Sequence, residues 1–323
     1  MAATPGDWQG YDIIGDVHGC ANTLEKLLQK MGYEYVEGAY RHPRRQVVFL
    51  GDVVDRGPHI REALHLVKNM VDCGSAVCVL GNHEFNAICY TTPVPPASGQ
   101  GYVRAHNSRH NRLIAETLEQ FACYPEEWRM FLRWFKTLPL FLEMPGFRVV
   151  HACWDQGLID EYKARYGDPR LREELIVESM DPHSFAGRVF DRLTRGTGMS
   201  LPRGTTITGR DGYIRESFRT KFWAHNPKTY RDVVFQPDPL PEEIADKPLS
   251  VHENEQLLSY GTQEPPVFVG HYWLQGSPRP LRGNVACLDY SAVKFGRLVA
   301  YRFDGESKLS TDKFVWVYVD PEN

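Results

Sequence analysis

The sequence predicts an α/β protein whose central sheet is at least partly parallel. Three short apolar runs, at residues 11–14, 47–50 and 76–80, have the length and composition of buried strands. Between these runs, apolar side chains recur at helical spacing, first at Leu24, Leu27, Leu28 and Met31 and then at Ile60, Leu64, Val67 and Val71. Strands and helices that alternate in this way are typical of successive βαβ units, in which the strands run parallel.

The rest of the chain adds more helices and strands. Helical periodicity is present at about 108–121 and 126–138, and a strand is expected at 147–150. Further strands are expected near the end of the chain, at about 267–269, 285–288, 298–303 and 314–319. These strands would complete the sheet system.

Residues 155–265 differ in character from the sequence around them. Polar helices are expected at about 169–180 and 183–194, and Gly-, Thr- and Arg-rich sequence and a proline cluster follow. We interpret residues 1–323 as one domain and residues 155–265 as a helical or irregular insertion that caps the functional site.

The composition is that of an ordinary globular protein, with 42% hydrophobic and 24% charged residues. The net charge of −4 argues against non-specific binding to nucleic acid, so we expect no stable nucleic-acid complex. The sequence has no apolar run of about 18 residues and no secretory signal at its start. We therefore expect no membrane partner and a cytoplasmic location. The seven cysteines lack the paired short spacings of a zinc ribbon.

A polar motif follows each of the first three apolar runs. The motifs are Gly15-Asp16-Val17-His18-Gly19, Gly51-Asp52-Val53-Val54-Asp55-Arg56-Gly57 and Gly81-Asn82-His83-Glu84. In open α/β sheets, ligands bind at the carboxyl ends of the strands, so the three motifs are expected to converge. His151 and His271 also stand at the ends of apolar runs, later in the chain.

The residue types in these motifs suit a metal site. Asp16 and His18 occupy alternate positions, so in extended chain both side chains leave on the same side. The two oxygens of Asp52 can bridge two ions, and Asn82 offers a neutral amide oxygen. Mixed Asp, His and Asn ligands favour manganese, iron or zinc over calcium. Each motif alone is typical of a surface turn or a helix cap, so the prediction depends on their joint occurrence.

Three further residues suit phosphoryl chemistry. His83 directly follows Asn82 and can face a substrate, as a general acid must. A hydrogen bond from Asp55 would fix the tautomer of that imidazole and favour its charged form. The guanidinium of Arg56 has the planar fork that binds phosphate through two hydrogen bonds. The alternative is a solvated Asp55–Arg56 surface pair beside a structural histidine.

The three motifs, in this order and at these separations, closely resemble those of the phosphoprotein phosphatase family of calcineurin-like metallophosphoesterases. The resemblance is close over residues 11 to about 90 and continues only in the two later histidines and the sheet pattern. It implies a two-sheet β-sandwich flanked by helices, with two divalent metal ions at one end, manganese first and iron or zinc as alternatives. The positions that match the family's metal ligands are Asp16, His18 and Asp52 for one ion and Asp52, Asn82, His151 and His271 for the other.

The resemblance also implies an activity. His83 and Asp55 match the family's acid dyad, and Arg56 matches a phosphate-binding arginine. The reaction would be hydrolysis of a phosphomonoester by direct attack of a metal-bridging hydroxide, in the manner of a serine/threonine phosphatase. The substrate would be a phosphoprotein or a small phosphate ester or nucleotide. A non-catalytic scaffold would be expected to have lost a ligand or the acid, and every such position is filled.

An alternative substrate class is the dinucleoside polyphosphates, because symmetrical diadenosine tetraphosphatases share the layout. Leu80 stands where eukaryotic-type protein phosphatases usually have arginine, and Ala152-Cys153-Trp154 replaces their Gly-Gly pair, which loosens the protein-phosphatase prediction. Conversely, the tetraphosphatases typically have Asp at the position of Glu84 and lack the aspartate at Asp55. These two residues favour the phosphomonoesterase branch.

The insertion carries basic residues beside flexible glycine- and threonine-rich backbone. They are Arg195, Arg203, Arg210 and Arg215. This composition suits contacts with phosphate or an acidic leaving group. The alternative is a solvated basic loop that does not touch substrate.

Overall fold

The structure is a computed structural model that describes residues 8–95, 99–208, 214–236, 240–294 and 296–319. The helices are α1 (Ala21–Lys30), α2 (Ile60–Asp72), α3 (Asn82–Thr91), α4 (Ser108–Gln120), α5 (Pro125–Phe135), α6 (Gln156–Tyr166), α7 (Glu173–Glu178), α8 (Phe185–Arg195), α9 (Tyr230–Val233), α10 (Glu242–Ala245) and α11 (Val251–Gln256). The strands are β1 (Gly10–Ile14), β2 (Glu34–Val36), β3 (Ala39–Arg41), β4 (Arg45–Phe49), β5 (Ala76–Cys78), β6 (Phe141–Met144), β7 (Phe147–Val150), β8 (Thr197–Ser200), β9 (Ile207–Thr208), β10 (Ile214–Arg215), β11 (Ser217–Thr220), β12 (Val234–Gln236), β13 (Val267–Val269), β14 (Val285–Cys287), β15 (Asp289–Tyr290), β16 (Arg297–Phe303) and β17 (Phe314–Tyr318).

Two sheets form the centre of the fold. The first has the order β15-β16-β1-β4-β5, with β17 paired to β16, and the second has the order β14-β13-β7-β6. Within the first sheet β1, β4 and β5 are parallel, while β16 is antiparallel to β1. Within the second, β13 is parallel to both β7 and β14. The predicted partly parallel α/β core is therefore confirmed.

The two sheets pack face to face, with the helices of the first βαβ units outside. Ile13 and Val48 of the first sheet share one apolar cluster with Phe147 and Phe268 of the second. The next residue along β1, Ile14, belongs to a different cluster that also contains helical side chains such as Leu24 and Leu64. Successive residues of a strand face opposite sides of its sheet, so each strand of the first sheet contacts the sandwich core and a helix layer. The predicted two-sheet sandwich flanked by helices is confirmed.

The parallel strands bring their following turns together. A Cβ atom added to Gly51 would lie 2.5 Å from the backbone nitrogen of Gly81. The turn after β4 therefore packs backbone against backbone on the turn after β5. The φ of Gly51 is +86°, a conformation that side-chain-bearing residues rarely adopt. This contact explains why glycines precede the polar residues of the second and third motifs.

Residues 155–265 divide between two apolar clusters. Ile159 of α6 and Leu193 of α8 belong to the large cluster that also packs on the first sheet. A separate cluster is formed by residues from 201 to 249, among them Phe218, Tyr230 and Leu249. The boundaries of the cap insertion stay a prediction, and the unit with its own apolar cluster is shorter than the predicted segment.

Several elements of this segment differ from expectation. Helix α6 was not predicted, because only Ile159 and Tyr162 on it are buried and its apolar periodicity is weak. The predicted helices at 169–180 and 183–194 are present as α7 and α8, and the first of them is shorter. The Gly- and Thr-rich stretch forms strands, of which β8, β11 and β12 pair in one small sheet. Pro237, Pro239 and Arg210 lie outside the described residues.

Within the described ranges, no helix combines the length and the apolar character that a membrane crossing requires.

Candidate active site and metal centre

Strand ends of both sheets supply the predicted site residues. The turns after β1 and β4 carry Asp16, His18 and Asp52, and Asn82 is the first residue of α3, which follows β5. The turns after β7 and β13 carry His151 and His271. The side chains of these six residues are all buried. Because β7 and β13 are parallel neighbours, their two histidines leave the second sheet at the same edge. The structure thus brings together all six predicted ligands.

The backbone at this site is strained. Positive φ angles occur at His18 (43°), Asp52 (50°), Asp55 (70°), Arg56 (72°) and His271 (68°), which are not glycines. Such conformations cost about 1–3 kcal/mol each and persist only where surrounding contacts enforce them. Their concentration among the predicted site residues supports a functional role for this edge of the sandwich.

Glu84 enforces the conformation of the Asp52 turn. One of its carboxylate oxygens accepts hydrogen bonds from the backbone amides of Asp52 (2.9 Å) and Gly81 (3.1 Å). The other accepts from the amides of Val53 (2.8 Å) and Val54 (3.2 Å). Burial and the nearby Asp52 carboxylate raise the pKa of Glu84 to about 6, although these hydrogen bonds oppose the shift. Glu84 therefore holds the second and third motifs together, a structural contribution that its sequence context did not indicate.

The histidines present their Nε2 atoms to the site. Nδ1 of His18 donates to the carbonyl oxygen of Val54 (2.9 Å), and Nδ1 of His151 donates to that of Leu50 (2.7 Å). Backbone carbonyls that orient Nδ1 in this way are typical of histidine ligands to metals. Nε2 of His18 and Nε2 of His271 are buried and have no hydrogen-bond partner among the described residues. Two buried imidazole nitrogens without partners fit a metal centre.

Asp52 lies at the centre of these nitrogens. Its Oδ2 atom is 3.3 Å from Nε2 of His151 and 3.7 Å from Nε2 of His18. Two groups of donor atoms, each within 4.8 Å of one another, share this residue: His18, Asp52 and His83, and Asp52, His151 and His271. This arrangement fits the predicted bridging position of Asp52 between two ions.

The electrostatics of the group favour a positive charge at its centre. Burial lowers the pKa of His151, but the Asp52 carboxylate outweighs this effect and raises it to about 10. Burial lowers the pKa of His18 well below its ordinary value, and Arg56 adds to that effect. Burial likewise lowers the pKa of His271, together with the charge of Arg219. His18 and His271 are therefore held in the neutral form that binds divalent transition metals, whereas His151 would have to release a proton to bind one.

Asp16 and Asn82 complete the donor set. The backbone amide of His271 donates to Oδ2 of Asp16 at 3.0 Å, and Oδ1 of Asn82 lies 3.0 Å from Nε2 of His151. Burial, and next the Asp289 carboxylate, raise the pKa of Asp16 well above its ordinary value. A divalent cation beside this carboxylate would favour its ionised form.

His83 and Asp55, the two residues predicted to form an acid dyad, are in contact. Nδ1 of His83 lies 2.6 Å from Oδ2 of Asp55, and both side chains are buried. Arginine can only donate, so the 3.0 Å contact between Nη2 of Arg56 and Nε2 of His83 is a hydrogen bond that the histidine accepts. His83 therefore has its proton on Nδ1, toward Asp55. The Arg56 guanidinium also lies 4.8 Å from the ring of Trp273.

Two contributors to the site were missed by the sequence analysis. The Thr117 hydroxyl donates to Oδ1 of Asp55 from α4, where the sequence gives no signal that separates it from any other helical threonine. The charge of Arg219 on β11 lowers the pKa of His271. Arg219 was overlooked because Arg195, Arg203 and Arg215 stood in more glycine-rich sequence. Arg195 contacts α3, where its Nη2 atom donates to Oδ1 of Asn86 (2.8 Å). Arg203 is exposed on a turn.

The sequence comparisons assign the chain to one family. Residues 11–196, more than half of the chain, match the sequence profile of the family described as calcineurin-like phosphoesterase, and the chain belongs to that family. The family implies a dinuclear divalent metal centre, and the donor atoms grouped around Asp52 fit one.

Individual relatives differ in how much of the chain they match. The asymmetrical bis(5′-nucleosyl)-tetraphosphatase PrpE of Halalkalibacterium halodurans is 53% identical over 74 residues, which are 23% of this chain and 30% of that protein. The symmetrical bis(5′-nucleosyl)-tetraphosphatase of Methylobacillus flagellatus is 26% identical over 293 residues, 90% of this chain and 91% of the relative. Among solved structures, a protein serine/threonine phosphatase from Saccharomyces cerevisiae has 16% identity and a TM-score of 0.49, and the match covers 98% of this chain and 81% of that one.

Proposed function

We propose that this protein is a phosphohydrolase with two divalent ions bound at one end of its two-sheet sandwich. The proposed ligands are Asp16, His18, Asp52, Asn82, His151 and His271. The observation that carries the proposal is that Asp52 is shared by two donor groups, beside two buried imidazole nitrogens that have no partner among the described residues. The mixed nitrogen and oxygen donors suit manganese first, with iron or zinc as alternatives.

The chain's own residues would bind and orient the phosphate. When bound, the two ions would supply an activated water at neutral pH and neutralise charge on the phosphoryl oxygens. Arg56 reaches the site through its contact with His83 and can donate two hydrogen bonds to phosphate oxygens. Arg219 is a second basic residue near the site, since its charge lowers the pKa of His271.

His83 is the proposed general acid. A substrate phosphate that took up Arg56 would release Nε2 of His83. Nε2 would then take up a proton from solvent and deliver that proton to the departing oxygen. Asp55 would stabilise the imidazolium form through its contact with Nδ1. Asp55 accepts a second hydrogen bond from Thr117, so its carboxylate is fixed in orientation.

Phosphomonoesters, including phosphoserine and phosphothreonine in proteins, are the first candidate substrates. The supporting observation is the complete dyad of His83 and Asp55, because an alkoxide leaving group needs a proton more than a phosphate leaving group does. Dinucleoside polyphosphates are the second candidate. They are supported by the relative from Methylobacillus flagellatus, which is aligned over 90% of this chain and named as a tetraphosphatase.

A substrate panel tests the proposal. The manganese-loaded protein is assayed with a phosphopeptide, p-nitrophenyl phosphate and a dinucleoside tetraphosphate, and kcat/KM is compared between them. We expect hydrolysis of at least p-nitrophenyl phosphate and no hydrolysis by Asp52→Asn, which should also bind less metal. Absence of activity in the metal-loaded protein on all three compounds would overturn the proposal. The relative kcat/KM values decide between the two substrate classes.

A further inference from the structure

Helix α3 begins at the metal centre and carries a stripe of residues away from it. Asn82, Asn86 and Cys89 lie four and three positions apart and therefore share one side of the helix. With 1.5 Å of rise per residue, Asn86 is about 6 Å along the axis from Asn82. The stripe thus starts at a proposed ligand and continues past the catalytic site.

Two arginines from different parts of the chain flank this stripe. Nη2 of Arg195, at the end of α8, donates to Oδ1 of Asn86 at 2.8 Å. The backbone amide of Arg104, in the segment before α4, donates to the carbonyl oxygen of Cys89 at 3.0 Å. The two guanidinium groups are close enough for Arg195 to lower the pKa of Arg104.

The charge of Arg104 is poorly compensated within the described part of the chain. Its Nε atom is buried there without a hydrogen-bond partner, and Nη1 lies 3.4 Å from Nε2 of His110, itself a basic group. Burial and the charges of Arg195 and Arg109 lower the pKa of Arg104 to about 10. Among the described groups that act on Arg104, the only opposing one is the thiol of Cys89, whose own pKa burial raises to about 11.

Arg195 forms an ion pair with Asp191 on the same helix. Its Nη1 atom lies 3.6 Å from Oδ1 of Asp191, and 68% of that aspartate side chain is exposed, so solvent screens the pair. Arg195 and Arg104 both contact helix α3, Arg195 through the side chain of Asn86 and Arg104 through the carbonyl of Cys89. Partly buried cations that repel one another are stabilised when an anion binds between them.

We propose that Arg104 and Arg195, with the amide of Asn86, form a second anion subsite beside the metal centre. The subsite takes a phosphate group of the substrate other than the one that is hydrolysed. The inference rests on the proposed function and deepens it, because a second phosphate site favours the second candidate class, the compounds with consecutive phosphates such as dinucleoside polyphosphates. An isolated phosphomonoester would leave the subsite empty.

In the kinetic test, each arginine is replaced by glutamine, which has no charge. Arg104→Gln and Arg195→Gln are compared with Arg203→Gln, an exposed arginine in the same insertion, using a dinucleoside tetraphosphate and p-nitrophenyl phosphate. Loss of a hydrogen bond to a charged group should raise KM for the tetraphosphate by about 10- to 100-fold relative to KM for the aryl phosphate. Arg203→Gln should leave that ratio unchanged. Equal KM changes on both substrates, or unchanged KM values, would overturn the subsite.

A binding test separates failure of the subsite from failure of the proposed function. Inorganic tripolyphosphate is titrated calorimetrically into the full chain and into the same three variants, a measurement that needs no turnover. We expect the Kd to rise in Arg104→Gln and Arg195→Gln only. Wild-type affinity in both variants overturns the subsite even if the protein hydrolyses p-nitrophenyl phosphate. A selective rise in Kd in a protein that hydrolyses none of the panel compounds supports the anion site and overturns the hydrolase proposal.

Discussion

Thr117 Oγ1 donates a hydrogen bond to Oδ1 of Asp55, although the two residues are 62 positions apart in the chain. The other carboxylate oxygen of Asp55 faces Nδ1 of His83. A second contact secures the same turn, because the side chain of Gln120 accepts from the backbone amide of Ile60 and donates to the carbonyl oxygen of Gly57. Helix α4 therefore holds the turn that carries Asp55, one member of the proposed dyad.

This contact predicts that Thr117 positions the general acid. Thr117→Val removes the hydroxyl at nearly constant volume and should lower kcat for an alkyl phosphate by about tenfold, the effect of losing one hydrogen bond to a charged group. Thr117→Ser keeps the hydroxyl and should restore most of the activity. Metal content should stay the same in both variants. Equal activities of the valine and serine variants would show that the hydroxyl has no positioning role.

His83 has two possible roles that one variant separates. The structure places its donor atom in a group with His18 and Asp52 that could also bind metal. As a general acid, His83→Asn should lose about 10²–10⁴-fold in kcat on an alkyl phosphate and keep both metals. The loss should be smaller on p-nitrophenyl phosphate, whose leaving group hardly needs a proton. Elemental analysis that finds one ion missing from His83→Asn would instead make His83 a ligand.

The parts of the site that sequence could predict are those encoded locally. Asp16, Asp52 and Asn82 follow short apolar runs, so strand ends and their motifs could be read together. Thr117 and Arg219 could not be found in this way. Their roles depend on how α4 and β11 pack against the site, and neither residue is marked by its sequence neighbours. Helix α6 was not predicted because it buries too few side chains to produce a periodic pattern in the sequence.

The ion pairs of Glu127 predict a pH dependence of stability. Its carboxylate accepts hydrogen bonds from Nε (2.8 Å) and Nη2 (2.9 Å) of Arg61 and contacts His65 (2.8 Å), which joins α5 to α2. The hydrogen bonds from Arg61 and then His65 lower the pKa of Glu127 from 4.5 to about 2. Because the pKa of Glu127 is lower in the folded protein than in the unfolded chain, the ionised carboxylate stabilises the fold. This stabilisation is complete above pH 4.5, the pKa in the unfolded chain, and it is lost as the pH falls toward 2.

Glu127→Gln should therefore lower the free energy of unfolding by about 1 kcal/mol at pH 7, since the pair is partly exposed. The difference from wild type should shrink below pH 4.5. Urea unfolding of metal-free wild type and variant at several pH values measures it, and Glu126→Gln, an exposed neighbour on the same helix, is the control. A difference that is constant between pH 7 and pH 3 would contradict the assignment of the effect to ionised Glu127.

Gly270 provides the sharpest structural test of the metal centre. A Cβ atom at this position would lie 2.0 Å from Oδ1 of Asp16, so alanine must displace a proposed ligand. The backbone amide of the next residue, His271, donates to the same carboxylate and helps to fix its position. We expect Gly270→Ala to bind fewer than two ions per chain and to lose most activity. The matched control is Gly283→Ala, where the added atom would meet only the flexible side chain of Lys308 at 3.5 Å and should change neither quantity. Full metal content and turnover in Gly270→Ala would mean that the position of Asp16 is not fixed by this contact and would remove the steric argument for its role as a ligand.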